Sequence, residues 1–239
     1  MVNSKLKHLS YKLFPGQCQL CLSPSRRPSD ICIDCERDLP WLQACCRRCA
    51  LPLATGDLCG HCLKQAPVFD QCIACWEYGF PIDALISRFK YHGDKACGAL
   101  LAELAQTVFS QTGFSQTAFS KTTVDMLIPV PMHWRRQLTR GYNQTEILAN
   151  HWGYAFNIPV RHAIKRTKAT PTQQGLSASA RRRNLLGAFA LPAPDAVRGK
   201  HVVLVDDVLT TGATANTLAA ILRRAGAAEI SIWCLARTP

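Results

Sequence analysis

Ten of this chain's cysteines form five Cys-x-x-Cys pairs, at 18/21, 32/35, 46/49, 59/62 and 72/75, all before residue 76. No other feature restricts the fold so narrowly. Cysteines at this density are either a disulfide framework or a set of metal ligands, and the redox compartment decides between them. The first fourteen residues lack an apolar stretch and a small-residue cleavage site, so no secretory signal is expected. A reducing, cytoplasmic location and metal ligation follow. Residues 15–75, rich in Cys, Pro and turn formers, are expected to form a small metal-held module.

Cys18/Cys21 and Cys32/Cys35 are separated by ten residues, and Cys46/Cys49 and Cys59/Cys62 by nine. Four thiolates on two short knuckles suit tetrahedral Zn2+, and the pattern occurs twice, so two zinc ions are expected. Spacing leaves the pairing open. Neighbouring pairs can share a metal, or 18/21 can join 46/49 while 32/35 joins 59/62. Cys45 or His61 can also replace a ligand. Cys72 and Cys75 lie in a strand-like segment, DQCIACWEY, and are read as packing residues. No βαβ context surrounds these pairs, which disfavours a thioredoxin-like redox role.

The remainder has a different character. Hydrophobic residues make up 48% of the chain, enough for a sizeable core, and no apolar run reaches the ~20 residues of a membrane-spanning helix. Residues 2–14 read as a short basic amphipathic helix, and 82–109 as helix divided at Gly93 and Asp94. Three pentapeptides starting at Phe109, Phe114 and Phe119 form a low-complexity surface loop over 109–123. Strands are expected at 125–131, 158–163, 201–206 and 229–235, with helices at 143–154 and 214–225. That alternation predicts an α/β fold, a parallel sheet flanked by helices, preceded by the cysteine module. The boundary is placed between residues 1–75 and 76–239.

The segment HVVLVDDVLTTGAT, residues 201–214, carries the chemistry. An apolar run reads as a strand buried on both faces. It ends in Asp206 and Asp207, followed by Thr210, Thr211, Gly212, Ala213 and Thr214 at the start of a helix. Hydroxyls and unpaired N–H groups at a helix N-terminus favour phosphate, and Gly212 permits close approach. The two carboxylates, one step earlier, suit neighbouring sugar hydroxyls. Thr214 as a plain cap and two solvated acids is the blander alternative. Two acids are costly at the end of a buried strand, which is where α/β sheets bind ligands.

This segment resembles the phosphoribosyl-pyrophosphate motif of type I phosphoribosyltransferases. Residues 130–149, VPMHWRRQLTRGYNQTEILA, resemble the segment that marks the ComF/GntX branch, as do the stretches 166–176 and 181–189. A Cys-rich start ahead of such a domain is also that branch's arrangement. The resemblance implies that Asp206 and Asp207 hold ribose hydroxyls and that residues 210–214 hold the 5′-phosphate. It places Arg140, Gly141 and Tyr142 at pyrophosphate and residues 166–184 at a lid. It further implies Mg2+ arriving with phosphoribosyl pyrophosphate, and a place in natural competence and DNA utilisation. Imported single-stranded DNA and proteins of the uptake machinery are then the partners.

The charge agrees. Lys and Arg number 28 against 16 for Asp and Glu, and residues 131–201 hold twelve basic and two acidic side chains, a local +10 out of a total of +12. Such a concentration reads as an anion-binding surface. Arg140, Arg166, Arg181, Arg182 and Arg183 are its candidates for pyrophosphate or DNA backbone, with Trp134 and Tyr142 beside them to stack on bases. Asn143 reads equally as a helix cap. Trp152, inside a helix, reads as core. Two functions fit: a DNA-handling protein that binds ribose phosphates, or a Mg2+-dependent phosphoribosyltransferase whose acceptor nothing in the sequence identifies.

Overall fold

The computed structural model describes residues 16–112, 123–167 and 187–239. The expected helix at 2–14, most of the pentapeptide repeats, and Arg181, Arg182 and Arg183 lie outside the described residues. At the centre is a four-stranded parallel sheet in the order β1 (Gln71–Glu77), β6 (Glu229–Arg237), β5 (His201–Leu209) and β2 (Met126–Pro129). The two inner strands are buried along almost their whole length, as a sheet covered on both faces requires.

Alternation along β5 divides the core. Val203 and Val205 face one layer, with Trp233 and Leu235 of β6. That layer contains helices α3 (Ile82–Tyr91), α4 (Lys95–Thr112) and α6 (Gln144–Phe156). Val202 and Leu204 face the other, against helix α7 (Ala213–Arg224). The antiparallel pair β3 (Lys165–Arg166) and β4 (Phe189–Ala190) packs on this second side. Helix α5 (Trp134–Arg140) stands outside both layers with no buried residue. The cysteine module contributes α1 (Ile33–Arg37) and α2 (Gly60–Lys64). No helix among the described residues is long and apolar enough to cross a membrane.

Several expected bounds shift. The sheet takes in Gln71 to Cys75, placed above with the cysteine module, because β1 pairs in register with β6. Of the loop expected over 109–123, residues 109–112 belong instead to α4, and Phe109 is a core residue stacked on Trp233 at 4.6 Å. The strand expected at 158–163 is a single bridge, Val160 to Leu127. Pro159 has no N–H to extend the ladder, so only its carbonyl and the Arg161 N–H bond to Leu127. Strand β5 continues past both acids to Leu209. Trp152 is fully buried, with its indole N–H on the Ala102 carbonyl at 3.0 Å.

Helices α3 and α4 approach closely where Gly98 meets Phe89. A Cβ on Gly98 would lie 2.4–2.8 Å from the fully buried Phe89 ring. Ala gains ~1 kcal/mol over Gly in helix propensity, but overpacking a rigid contact costs about 1–3 kcal/mol. Gly98→Ala is therefore expected to lower the urea midpoint. An unchanged or raised midpoint would show that the ring yields freely.

Candidate functional site

The two acids of β5 are not equivalent. By the two-residue period, Asp207 shares the face of Val203 and Val205, covered by α3 and α6, whereas Asp206 takes the other side. Asp207 is only 5% exposed, and both its oxygens are engaged. Lys90 Nζ of α3 lies 3.0 Å from Oδ1, and Gln144 Nε2 of α6 donates to Oδ2 at 2.8 Å. Burial works against the Lys90 ammonium, but the charges of Asp207 and then Asp206 outweigh it and hold its pKa above the usual value. Asp206 is pushed up to about 7, first by burial and then by the charge of Asp207. The Asp207 N–H, donating to Asp206 Oδ1 at 2.9 Å, and Lys90 pull weakly the other way. One carboxylate is thus neutralised by protein partners, while the other changes state near neutral pH.

Beyond Leu209 the chain turns into α7 through Thr210, Thr211 and Gly212. Gly212 caps the helix at φ 71, a left-handed conformation that glycine adopts without strain, and no side chain caps the helix there. The first turn carries no acidic residue, so no side-chain charge there opposes an anion at the positive end of the dipole. The helix starts at Ala213, which places Thr214 inside it.

Asp206, Asp207, Thr210, Thr211, Gly212, Ala213 and Thr214 line one cleft of ≈ 360 Å3 together with Arg140 and Arg166. Arg140 is already oriented. Its Nη1 donates to Gln144 Oε1 at 2.7 Å, and its guanidinium lies 5.1 Å from the centroid of the Tyr91 ring. Burial and then the charge of Arg136 draw the Arg166 guanidinium below its usual pKa. Arg136 also lines the cleft, so two like charges oppose each other there, a repulsion that a bound anion would relieve.

Two expected residues take other parts. Gly141 is absent from the cleft wall; at φ 82 it ends α5, its N–H on the Gln137 carbonyl at 2.7 Å. Tyr142 stacks on Phe89 and donates its hydroxyl to the Phe89 carbonyl, so it braces α3. Asn143 both caps α6, accepting from Thr145 N–H at 3.3 Å, and lines the cleft. Trp134 remains 57% exposed on α5. Sequence reasoning missed Lys90, Gln144, Arg136, Tyr78 and Tyr91, all on the cleft wall. The available signal was a lysine interrupting an otherwise apolar and aromatic helix end, Phe89-Lys90-Tyr91.

The cysteines form two clusters of neighbouring pairs: Cys18, Cys21, Cys32 and Cys35, then Cys46, Cys49, Cys59 and Cys62. The interleaved arrangement is excluded, and Cys45 and His61 belong to neither cluster. The clusters are copies of one design. Leu22 and Ala50, each just past a first pair, are left-handed at φ 63 and 55 and return their N–H groups to Cys18 and Cys46. Cys32 and Cys59 cap α1 and α2 with nearly identical backbone angles.

Within each cluster the ligand sulfurs lie within 4.8 Å of one another, with Cys21–Cys32 at 3.8 Å and Cys49–Cys59 at 3.7 Å. A tetrahedron with Zn–S bonds of about 2.3 Å has edges of about 3.8 Å, so the donor set fits zinc. Hydrogen bonds from Ser23 bring Cys21 down to about 6. Burial raises Cys46, but N–H groups of Cys59, Cys49 and Arg48 bring it to about 7. A thiolate is therefore accessible in each cluster, whereas Cys35 and Cys62 are pushed up, first by burial, and need a metal to favour their ionised form.

Comparison with known proteins gives the same two parts. A double zinc ribbon domain model matches residues 9–63, and a phosphoribosyl transferase domain model matches residues 139–239. The DNA utilization protein YhgH of Salmonella typhimurium is 36% identical over 230 residues, covering 94% of this chain and 98% of that protein. Competence protein F of Haemophilus influenzae is 35% identical over 210 residues, covering 87% and 90%. Competence protein ComFC of Bacillus subtilis is 26% identical over 217 residues, covering 87% and 84%.

Proposed function

Because the chain belongs to the family of the DNA utilization protein YhgH and competence protein F, we propose that it serves DNA utilisation by binding ribose phosphates, either phosphoribosyl pyrophosphate or single-stranded DNA. The observation that carries this reading is the convergence on one cleft of the Asp206–Asp207 pair, the Thr210–Thr211–Gly212 turn at the head of α7, and three arginines. The acids take the hydroxyls of a free ribose, the turn takes the 5′-phosphate, and Arg136, Arg140 and Arg166 take the diphosphate or successive phosphates of a strand. Mg2+ would come with the diphosphate rather than sit in an all-protein cage, and would offset the diphosphate's charge there. Tyr78 and Tyr91 on the cleft wall, with Trp134 outside it, give bases faces on which to stack. The cytoplasm, where imported strands are processed, is the proposed location.

The DNA arm is tested by titrating a single-stranded oligonucleotide at several salt concentrations. Three phosphate contacts imply a slope of about −2 in log affinity against log salt. No binding at low salt, or binding indifferent to salt, would sink it.

Asp206 gives phosphoribosyl pyrophosphate binding a pH dependence. Its carboxyl titrates at about 7 and accepts sugar hydroxyls best when ionised. Protons therefore compete with the ligand as pH falls through 7, and affinity is expected to drop by up to about tenfold per unit below it. Asp206→Asn should remove that step while leaving any step from the ligand's own phosphates. An identical pH profile in the variant would contradict the assignment.

A second reading is transfer of the phosphoribosyl group to an acceptor, favoured by the match of residues 139–239 to a phosphoribosyl transferase domain model. Pyrophosphate release from phosphoribosyl pyrophosphate with a panel of bases and amines tests it. Its absence throughout would leave binding as the whole role.

A further inference from the structure

Neither cysteine cluster supplies a wall of the ribose-phosphate cleft, yet beside its apolar packing each is joined to one wall by an arginine that hydrogen-bonds its backbone. At the first cluster, Arg88 of α3 donates to the Gln19 carbonyl and to Gln19 Oε1, both at 2.9 Å, and pairs with Asp94 at 2.7 Å. Gln19 follows Cys18, and Lys90 stands two residues after Arg88 on the same helix.

The second tie is more direct. Arg237, the last residue of β6, is 9% exposed. Its Nε donates to the Cys49 carbonyl at 2.9 Å, and its Nη1 donates to the Leu209 carbonyl at 3.2 Å and to the carbonyl of Thr238. The Thr238 N–H bonds to the same Leu209 oxygen at 3.1 Å. Leu209 ends β5, and Thr210 opens the phosphate turn. Cys49, Cys59, Thr210 and Thr211 line a cavity of ≈ 1070 Å3 together with Arg237, and Cys49 and Ala50 pack against the core cluster that holds Leu209, so Arg237 adds a directed polar link to an apolar contact. Its bonds all run to neutral oxygens. Four thiolates around a divalent zinc carry two net negative charges, which favours a buried guanidinium beside them.

We infer that Arg237 is a positioning residue that couples the Cys46–Cys49–Cys59–Cys62 cluster to the phosphate turn, so that ligand affinity depends on metal in that cluster. Metal fixes the knuckle, the knuckle fixes the Cys49 carbonyl, and Arg237 carries that position to Leu209. The consequence for affinity rests on the ribose-phosphate reading, whereas the dependence of the turn on metal does not. By linkage the coupling is reciprocal: whatever factor the metal adds to ligand affinity, the ligand adds to metal affinity.

The test uses the full chain, zinc-loaded or stripped, with chelator removed before Mg2+ is added. Amide hydrogen exchange is followed at residues 209–214, with residues 202–205 as the internal reference. Phosphoribosyl pyrophosphate affinity is measured on the same samples. Stripping is expected to speed exchange at 209–214 alone and to weaken binding at least tenfold, and the ligand should tighten zinc by the same factor. Arg237→Gln should show fast exchange while still zinc-loaded, with stripping adding little. Arg237→Lys should fall between, since an ammonium cannot span both carbonyls as a guanidinium fork does.

Exchange at 209–214 that ignores stripping in the wild type, or native protection in zinc-loaded Arg237→Gln, overturns the coupling. If Arg237→Gln does not fold, the wild-type series and Arg237→Lys decide it. Metal-dependent exchange without any ligand binding would uphold the coupling and remove the ribose-phosphate reading.

Discussion

Replacing Lys90 by Met is expected to lower stability by about 3–5 kcal/mol, because it leaves Asp207 buried without its cation. In a chain of this size that corresponds to a melting temperature lower by roughly 10 °C. The loss comes from the stranded carboxylate and not from the lysine stem, whose length Met nearly reproduces. Adding Asp207→Asn should therefore restore much of the stability, since an uncharged amide is far less costly to bury, although its one oxygen can accept from only one of Val208 N–H and Gln144 Nε2. Thermal unfolding of the wild type, Lys90→Met and the double variant measures both effects. An unchanged melting temperature in Lys90→Met would mean that the ion pair is solvated and that Asp207 needs no neutralising partner.

Asp206→Asn combined with Asp207→Asn is expected to weaken phosphoribosyl pyrophosphate binding by about 100-fold or more. Two hydrogen bonds to ionised carboxylates contribute about 1.5–3 kcal/mol each, and every 1.4 kcal/mol is tenfold. The sign is the informative part. Above pH 7, where Asp206 is ionised, the variant removes two negative charges and leaves Lys90 unneutralised, so a surface that only attracts phosphate would bind more tightly. Deoxyribose within a strand has no pair of free hydroxyls for the acids to hold. Single-stranded DNA affinity should therefore stay level or rise while phosphoribosyl pyrophosphate is lost. Calorimetric titration of both ligands against both proteins reads the contrast. A parallel rise for both would reduce Asp206 and Asp207 to bystanders.

What could be read in the sequence was whatever lies close together along the chain. Strand β5, the acids, the threonine turn and α7 are contiguous, so local pattern sufficed to assemble them. The same holds for the cysteine knuckles, whose spacing gave the ligand set; their pairing needed coordinates, because two pairings satisfy the same spacing. The partners of Asp207 come from helices 117 and 63 residues away, and no periodicity links Lys90 or Gln144 to an aspartate at that distance. Arg237 reaching Cys49 across 188 residues is the extreme case. Short elements failed differently. Helix α5 is seven residues with none buried, so it leaves no apolar stripe, although His133 before it and Gly141 after it are the caps that could have marked its ends. Gly141 ends that helix through its left-handed backbone, a role that its position after Arg140 does not reveal by itself. Residues 158–163 read as a strand because their apolar pattern fits one, while Pro159 withholds the N–H that a ladder would use.

One cleft, floored by Asp206, Asp207 and the phosphate turn and rimmed by arginines, is proposed to receive both kinds of ribose phosphate. The direct measurement is a competition: zinc-loaded protein bound to a labelled single-stranded oligonucleotide at low salt, titrated with phosphoribosyl pyrophosphate and Mg2+. Full displacement is expected at a concentration set by the affinity of phosphoribosyl pyrophosphate alone. Simultaneous binding of the two without mutual effect, or failure of phosphoribosyl pyrophosphate to bind, would contradict it.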